Sequence, residues 1–199
     1  MLTWQETALP RSAVARGIET APVPFDYPWE LVRPLALADG AVLGLRPIRP
    51  DDEPRLVELF HRLSRRTVYQ RFFRVYDRLP EDWYRRFANV DYRTRLALVA
   101  EDRLPALRAV ARYEPGETPG TTEIAIVVED GWQGRGLGPL LLDALLAAAE
   151  ARGRRRFTAD VLADNRRMLR LLTRLAEGRR RELCEGVITL EFVRSHPIS

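Results

Sequence analysis

Three glycines at alternate positions, Gly134, Gly136 and Gly138, follow Gln133 shortly after the β-branched run Ile126-Val127-Val128. An apolar stretch with helical spacing, residues 139–151, comes directly after them. A strand that feeds a helix through glycines leaves the first N–H groups of that helix without partners. Bare donors and the positive end of the helix dipole then coincide, so the turn favours an anion such as a phosphate. Two familiar phosphate patterns do not fit. A dinucleotide fingerprint needs a glycine where Pro139 stands, and a P-loop needs a lysine, which this chain lacks altogether.

Glu123 stands ten positions before Gln133, within an apolar run. Taken alone it reads as a surface acid on a sheet edge. Beside an anion seat it becomes a possible base. His61 and His196 have no metal-ligand spacing with each other or with Cys184, and no metal is expected. His61 reads as a helix-surface residue and His196 as tail. One cysteine excludes an internal disulfide and suits a reducing cytoplasm. Its place in a strand predicts a buried, inert thiol.

The elements that must position these groups follow from periodicity and turn chemistry. Residues 1–30 read as an arm interrupted by Pro22, Pro24 and Pro28, with a short helix over 6–16; residues 31–199 read as one domain. Asp39-Gly40 between apolar runs predicts a hairpin. Pro50-Asp51-Asp52-Glu53 opens a helix, with Asp51 or Asp52 expected as its cap. Further helical pieces are expected from Ser64 to about residue 73 and over 81–88. Strands are expected over 95–100, 106–113 and 121–128. The helix after the glycines stops at Arg152-Gly153. A strand over 157–162, a helix from Asn165 and two strands over 180–184 and 187–193 complete the order. Periodicity supports an α/β or α+β domain.

Gln133-x-x-Gly136-x-Gly138 after a strand resembles the Q/R-x-x-G-x-G/A motif of the GNAT superfamily of N-acetyltransferases. Arg46-Pro47-Ile48-Arg49-Pro50-Asp51-Asp52-Glu53, Tyr69-x-Arg71-Phe72-Phe73 and Asp91-Tyr92 resemble one branch of it, the bacterial protein lysine acetyltransferases that modify acyl-CoA synthetases. The likeness covers residues 33–194. It implies the GNAT fold: a mixed, mostly antiparallel twisted sheet, flanked by helices, with a splay between two central parallel strands. It implies acetyl-CoA as cosubstrate, its diphosphate held by main-chain groups of Gln133, Gly134, Arg135, Gly136, Leu137 and Gly138. Arg135 could add its charge or face solvent. Ile126, Val127 and Val128 would line the pantetheine arm, with main-chain pairing from Ile126 and Val128. Asn165 would contact that arm, and it also reads as a helix cap. Glu123 matches the branch's catalytic glutamate. Such a base is required because a lysine amine, with a pKa of about 10.4, is protonated at neutral pH and cannot attack a thioester.

The chain departs from the wider superfamily at Leu172. Many members carry there, seven residues after the asparagine, a tyrosine that protonates the leaving thiolate. Tyr69 and Tyr113 are the alternatives. The usual Gly-Phe that follows is Ala176-Glu177.

Composition narrows the functional classes. Net charge is +4 with a pI near 9.7, and all 32 basic residues are arginine. These are spread among acids without an aromatic-basic recognition motif, which argues against nucleic acid. Codon bias in a GC-rich genome explains the missing lysine more simply than avoidance of self-acylation. No apolar run reaches the roughly 18 residues needed to span a membrane, and the N-terminus lacks the features of a signal peptide. The reading is thus a cytoplasmic, acetyl-CoA-dependent N-acetyltransferase acting on a primary amine, with a protein substrate such as an acyl-CoA synthetase. Its rivals are a small-molecule amine acetyltransferase and a non-catalytic acyl-CoA sensor.

Overall fold

The computed structural model describes residues 23–195. The helix expected over residues 6–16 and the tail residue His196 lie outside them. Within the segment assigned to the arm, Tyr27 is buried; its hydroxyl donates to the Pro47 carbonyl at 2.9 Å and its ring meets Tyr92 edge-on.

Asp39 and Gly40 turn the chain between β1 (Arg33–Ala36) and β2 (Val42–Pro47), as their types predict. Gly40 takes φ +86°, and the Asp39 carboxylate accepts the Ala41 N–H at 3.0 Å. A 3-10 turn, Pro50–Asp52, leads into α1 (Glu53–Arg62). Then come α2 (Arg65–Phe72), α3 (Glu81–Ala88), β3 (Leu96–Glu101), β4 (Leu107–Pro115) and β5 (Thr121–Val128). The chain closes with α4 (Leu137–Ala151), β6 (Arg156–Leu162), α5 (Arg166–Leu175), β7 (Ala176–Cys184) and β8 (Val187–Arg194).

All eight strands share one sheet, ordered β1-β2-β3-β4-β5-β6-β8-β7. Every neighbouring pair is antiparallel except β5 and β6, which run parallel. This is the mixed, mostly antiparallel, helix-flanked sheet that the resemblance implies. Strand alternation sorts the side chains onto two faces. Leu96, Leu98, Ala111, Tyr113 and Ile124 belong to a core with α4 and α5. Ala97, Val99 and Val110 belong to a second core with Leu56, Leu59, Phe60, Val68 and Tyr84 of α1, α2 and α3. No helix among the described residues is long and apolar enough to cross a membrane.

Two sequence expectations are corrected. Asp52 takes the N-cap position of α1 as expected, but its side chain makes no capping bond. Its carboxylate turns inward to a bidentate contact with Arg46, both distances 2.7 Å, and also accepts the Arg49 N–H at 2.8 Å. Arg46 reaches on to Glu101 at 2.8 Å, so β2, β3 and the start of α1 meet at one guanidinium. Cys184 is exposed rather than buried. It lies at the tip of the β7–β8 hairpin, where residues 180–184 of this edge strand are all exposed.

Burial raises the pKa of Asp52, but the Arg46 contact outweighs it and the carboxyl ends below its ordinary value of 3.8. Its stabilising contribution is therefore complete above the unfolded pKa and is lost as pH falls through the folded one. Removing Asp52 takes the bidentate partner from a buried guanidinium and leaves it Glu101 alone. Asp52→Ala should cost about 3–5 kcal/mol, read as a lowered urea midpoint at pH 7; a loss below 1 kcal/mol would contradict this account.

Candidate active site

β5 and β6 pair over only three rungs: Thr121 with Arg156, Thr122 with Phe157 and Glu123 with Thr158. Beyond Glu123 the parallel ladder stops, although β5 continues to Val128 on its other edge against β4. The Glu129 N–H bonds the Arg108 carbonyl on the β4 side at 2.8 Å. Alternation then directs the main-chain groups of residues 126 and 128 to the opposite, unpaired edge. Buried main-chain donors and acceptors need partners, so this edge is a template for an extended ligand. A cavity of about 530 Å³ occupies the gap, a volume typical of small-molecule sites.

At one end of the cavity the glycine turn enters α4. Gly134 and Gly136 have φ +81° and +88°, which side chains rarely adopt. Gly136 is the N-cap of α4 and no side chain bonds the first N–H groups. Forgoing a cap sacrifices about 0.5–2 kcal/mol. Leu137, Leu141, Leu142, Leu145 and Leu146 are each wholly buried and contribute about 1.5–3 kcal/mol apiece. Burial thus holds the helix without a cap, leaving Leu137 and Gly138 N–H groups for an anion. A Cβ on Gly138 would make only ordinary contacts.

The turn is tied down from outside. Gln133 Nε2 donates to the Val128 carbonyl at 3.0 Å and to Thr67 Oγ1 at 3.1 Å, while Gln133 Oε1 accepts from Arg167 at 3.1 Å. The Asp130 carboxylate accepts the Ser64 N–H at 2.9 Å, the Ser64 hydroxyl at 2.7 Å and the Thr67 hydroxyl at 2.9 Å. Burial raises its pKa, but the bonds from Ser64 and Thr67 win and hold it below the ordinary value. Glu129 takes Arg62 at 3.1 Å and Arg108 at 2.8 Å. These bonds lock α1 and α2 onto the end of β5. Sequence reading missed them, because the partners are more than 60 residues from the turn in the case of Ser64 and Thr67.

Ile126, Val127, Val128, Gln133, Gly134, Gly136, Gly138, Asn165 and Glu123 all line the cavity. Asn165 also caps α5, its Oδ1 accepting the Met168 N–H at 3.1 Å. Arg135 and Leu137 do not line it. The Arg135 guanidinium donates to Asp39 at 2.6 Å and lies over the Trp132 ring at 4.2 Å, and the Leu137 side chain is in the core. Any contact from these two residues falls to their main chain.

Glu123 sits where the β5–β6 pairing ends and is exposed to the cleft. Desolvation pushes its pKa above the ordinary 4.5; Arg71 opposes this, and Asp160, Glu114 and Glu117 add to it. Asp160, Arg71, Arg170 and Arg174 line the same cavity and were not singled out from sequence. Arg71 belongs to the Tyr-x-Arg-Phe-Phe segment. Neither tyrosine proposed for protonating a leaving group lines the cavity. Tyr113 is wholly buried and donates to the Arg93 carbonyl at 3.0 Å. Leu172 is wholly buried too. Among the described residues no His/Cys/Asp/Glu group could hold a metal ion.

The profile of the Acetyltransferase (GNAT) family matches residues 56–176. The chain is 34% identical over 145 residues to Acetyltransferase Pat of Mycolicibacterium smegmatis, covering 71% of this chain and 43% of that protein. It therefore spans less than half of that relative. Acetyltransferase PA5475 of Pseudomonas aeruginosa is 29% identical over 136 residues, covering 67% of this chain and 73% of its own. Among solved structures, the GNAT domain of S. lividans PAT superposes with a TM-score of 0.76 at 34% identity, over 84% of this chain and 99% of that one. The yncA protein of Salmonella typhimurium, solved with its cofactor acetyl-CoA, shares the fold at 20% identity, with a TM-score of 0.57 over 76% of this chain and 93% of its own. The strand that ends in a glycine turn, the splayed parallel pair and the family match agree: the chain belongs to the GNAT family of acetyltransferases.

Proposed function

We propose that this protein transfers an acetyl group directly from acetyl-CoA to a primary amine, with a protein lysine as acceptor and an acyl-CoA synthetase as a fitting substrate. The observation that carries the reading is the coincidence at one point of the last β5–β6 rung and Glu123. A ligand paired along the free edge of β5, with its phosphates at residues 136–138, has its far end beside that carboxylate. The residues fit acetyl-CoA in kind: bare N–H groups for a diphosphate, an unpaired strand edge for the amide-bearing pantetheine arm, and a cavity of about 530 Å³.

Acetyl-CoA supplies the acyl group as an activated thioester. The chain's own groups do the rest. N–H donors of the turn hold the diphosphate, and the β5 edge fixes the arm. A β5 N–H near Glu123 stabilises charge developing on the acyl oxygen. Glu123 takes a proton from the acceptor ammonium, directly or through one water, and frees the amine's lone pair. The C–N bond forms, the tetrahedral adduct collapses with loss of the C–S bond, the amide nitrogen gives its second proton to water, and the leaving thiolate takes a proton from water, because no tyrosine lines the cleft among the described residues. No acyl-enzyme is required.

Exposure of Glu123, Asp160 and Arg174 leaves the acceptor end open, which favours a lysine on a protein surface over an enclosed small amine. Similarity to Acetyltransferase Pat supports acetyl transfer. An exposed free thiol at Cys184 is compatible with a cytoplasmic setting.

Glu123→Gln should lower kcat/KM for amine acetylation by about 10²–10⁴-fold while calorimetry shows acetyl-CoA affinity within about twofold of the original. The acidic limb of the wild-type pH profile should lie above 4.5, the ordinary value from which this carboxyl is raised, and should vanish in the variant. Thiol release at an undiminished rate in Glu123→Gln would sink the assignment. Gly136→Ala meets no atom within 4 Å, so only its φ of +88° is strained. That strain, about 1–2 kcal/mol, should displace the turn and weaken acetyl-CoA binding about tenfold, again by calorimetry; unchanged affinity would disconnect the turn from the coenzyme.

A further inference from the structure

Side chains of Glu123, Ala125 and Val127 share one face of the sheet with Val110, Arg112 and Glu114, as the β4–β5 register requires. Positive charge is in surplus on that face. Glu114, opposite Glu123, already contacts Arg112 at 2.8 Å, Arg86 at 3.1 Å and Arg95 at 3.6 Å. Arg71 descends from α2 onto the same face and lines the main cavity beside Glu123. It also lines a recess of about 50 Å³ behind that cavity, shared with Arg112. Its guanidinium makes no hydrogen bond or ion pair among the described residues. Its close neighbour is the adjacent Phe72 ring, at 5.0 Å.

Arg112 behind it is only 6% exposed, and its Nε has no hydrogen-bond partner. It lies over the Phe87 ring at 4.4 Å. Burial drags the pKa of Arg71 below its ordinary value, and Glu123 and Glu114 offset this only from a distance. The Arg71 side chain is half-buried and faces the cleft, and a guanidinium without a protein partner there is open to a carboxylate. A partner entering the cleft meets Arg71 on the same lining as Glu123.

We propose that Arg71 is a specificity residue for the acceptor: it seats a carboxylate carried close to the amine that is acetylated. Arg112 supports the seat from behind, and the planar guanidinium matches a carboxylate with two N–H donors. The carboxylate can belong to an acidic residue beside a target lysine or to a free amino acid; the chemistry is the same. The inference rests on the reading of Glu123 as the base.

The test uses matched acceptor pairs. One pair is a lysine peptide with Glu beside the lysine and the same peptide with Gln. The other is an amino acid and its decarboxylated amine. The acidic member of at least one pair should be acetylated with a kcat/KM at least tenfold higher, and which pair responds identifies the source. Arg71→Gln should shrink that preference to within twofold, and Arg71→Lys should restore part of it. Equal use of both members by the wild-type protein overturns the proposal without any variant. A drop in kcat common to both members of a pair, with a displaced acidic limb, also overturns it, because Arg71 would then act on Glu123 alone. If no acceptor turns over, the base assignment fails separately. Calorimetry of the same pairs with the CoA-saturated protein then reads the seat directly, and equal affinities within each pair overturn it.

Discussion

The parallel pairing of β5 with β6 stops after Glu123 and Thr158, and the rest of the site depends on that interruption. A continued ladder would satisfy the main-chain groups of residues 124, 126 and 128 that face β6 and leave no cleft. The interruption is held open by what packs on either side. On one side, Asp130 and Gln133 pin α2 to the end of β5 through Ser64 and Thr67. On the other, α5 leaves β6 with Asn165 as its cap, and Leu172 and Leu175 join the core with α4. Each wall is fixed to its own strand, so the gap is a rigid feature rather than a loose edge.

A rigid gap suits a ligand that is itself extended. Main-chain pairing along a strand edge discriminates little by side chain, so Ile126 and Val128 contribute mostly by conformation. The glycine turn contributes in the same way. Its side-chain work is structural: Gln133 closes the turn onto Val128, and Arg135 is spent on Asp39 across the hairpin of β1 and β2. The side chains with chemistry gather at the opposite end, where Glu123, Asp160 and Arg71 meet. Coenzyme recognition and acceptor recognition are thereby assigned to different kinds of group.

Much of this was legible before the structure, and the reasons are local. Asp39-Gly40 specifies a hairpin by backbone conformation alone. Pro80 precedes residues 81–88, and Gly120 and Gly131 flank residues 121–128; both segments appear with the expected limits. The glycine turn declares itself through positive φ. What stayed hidden depends on partners distant in sequence. Asp52 looks like a cap until Arg46 is folded against it. Cys184 looks buried because strands usually have an inner face, but this hairpin tip has none. Arg135 looks free for a phosphate until Asp39 arrives from 96 residues away. Asp160 and Arg71 are ordinary charged residues in a chain rich in them, and only register brings them to Glu123.

The charges around Glu123 act on its base strength in opposite directions. Desolvation and the carboxylates Asp160, Glu114 and Glu117 raise its pKa, and Arg71 lowers it. A better base needs the lowering influence removed at the moment the amine is present. An acceptor carboxylate on Arg71 does this, because it neutralises the one cation that holds Glu123 down. Seating the right acceptor then both positions the amine and strengthens the group that deprotonates it. An acceptor without that carboxylate leaves Arg71 pulling on Glu123. On the proposed reading of Glu123 and Arg71, selectivity and proton transfer are coupled through a single guanidinium.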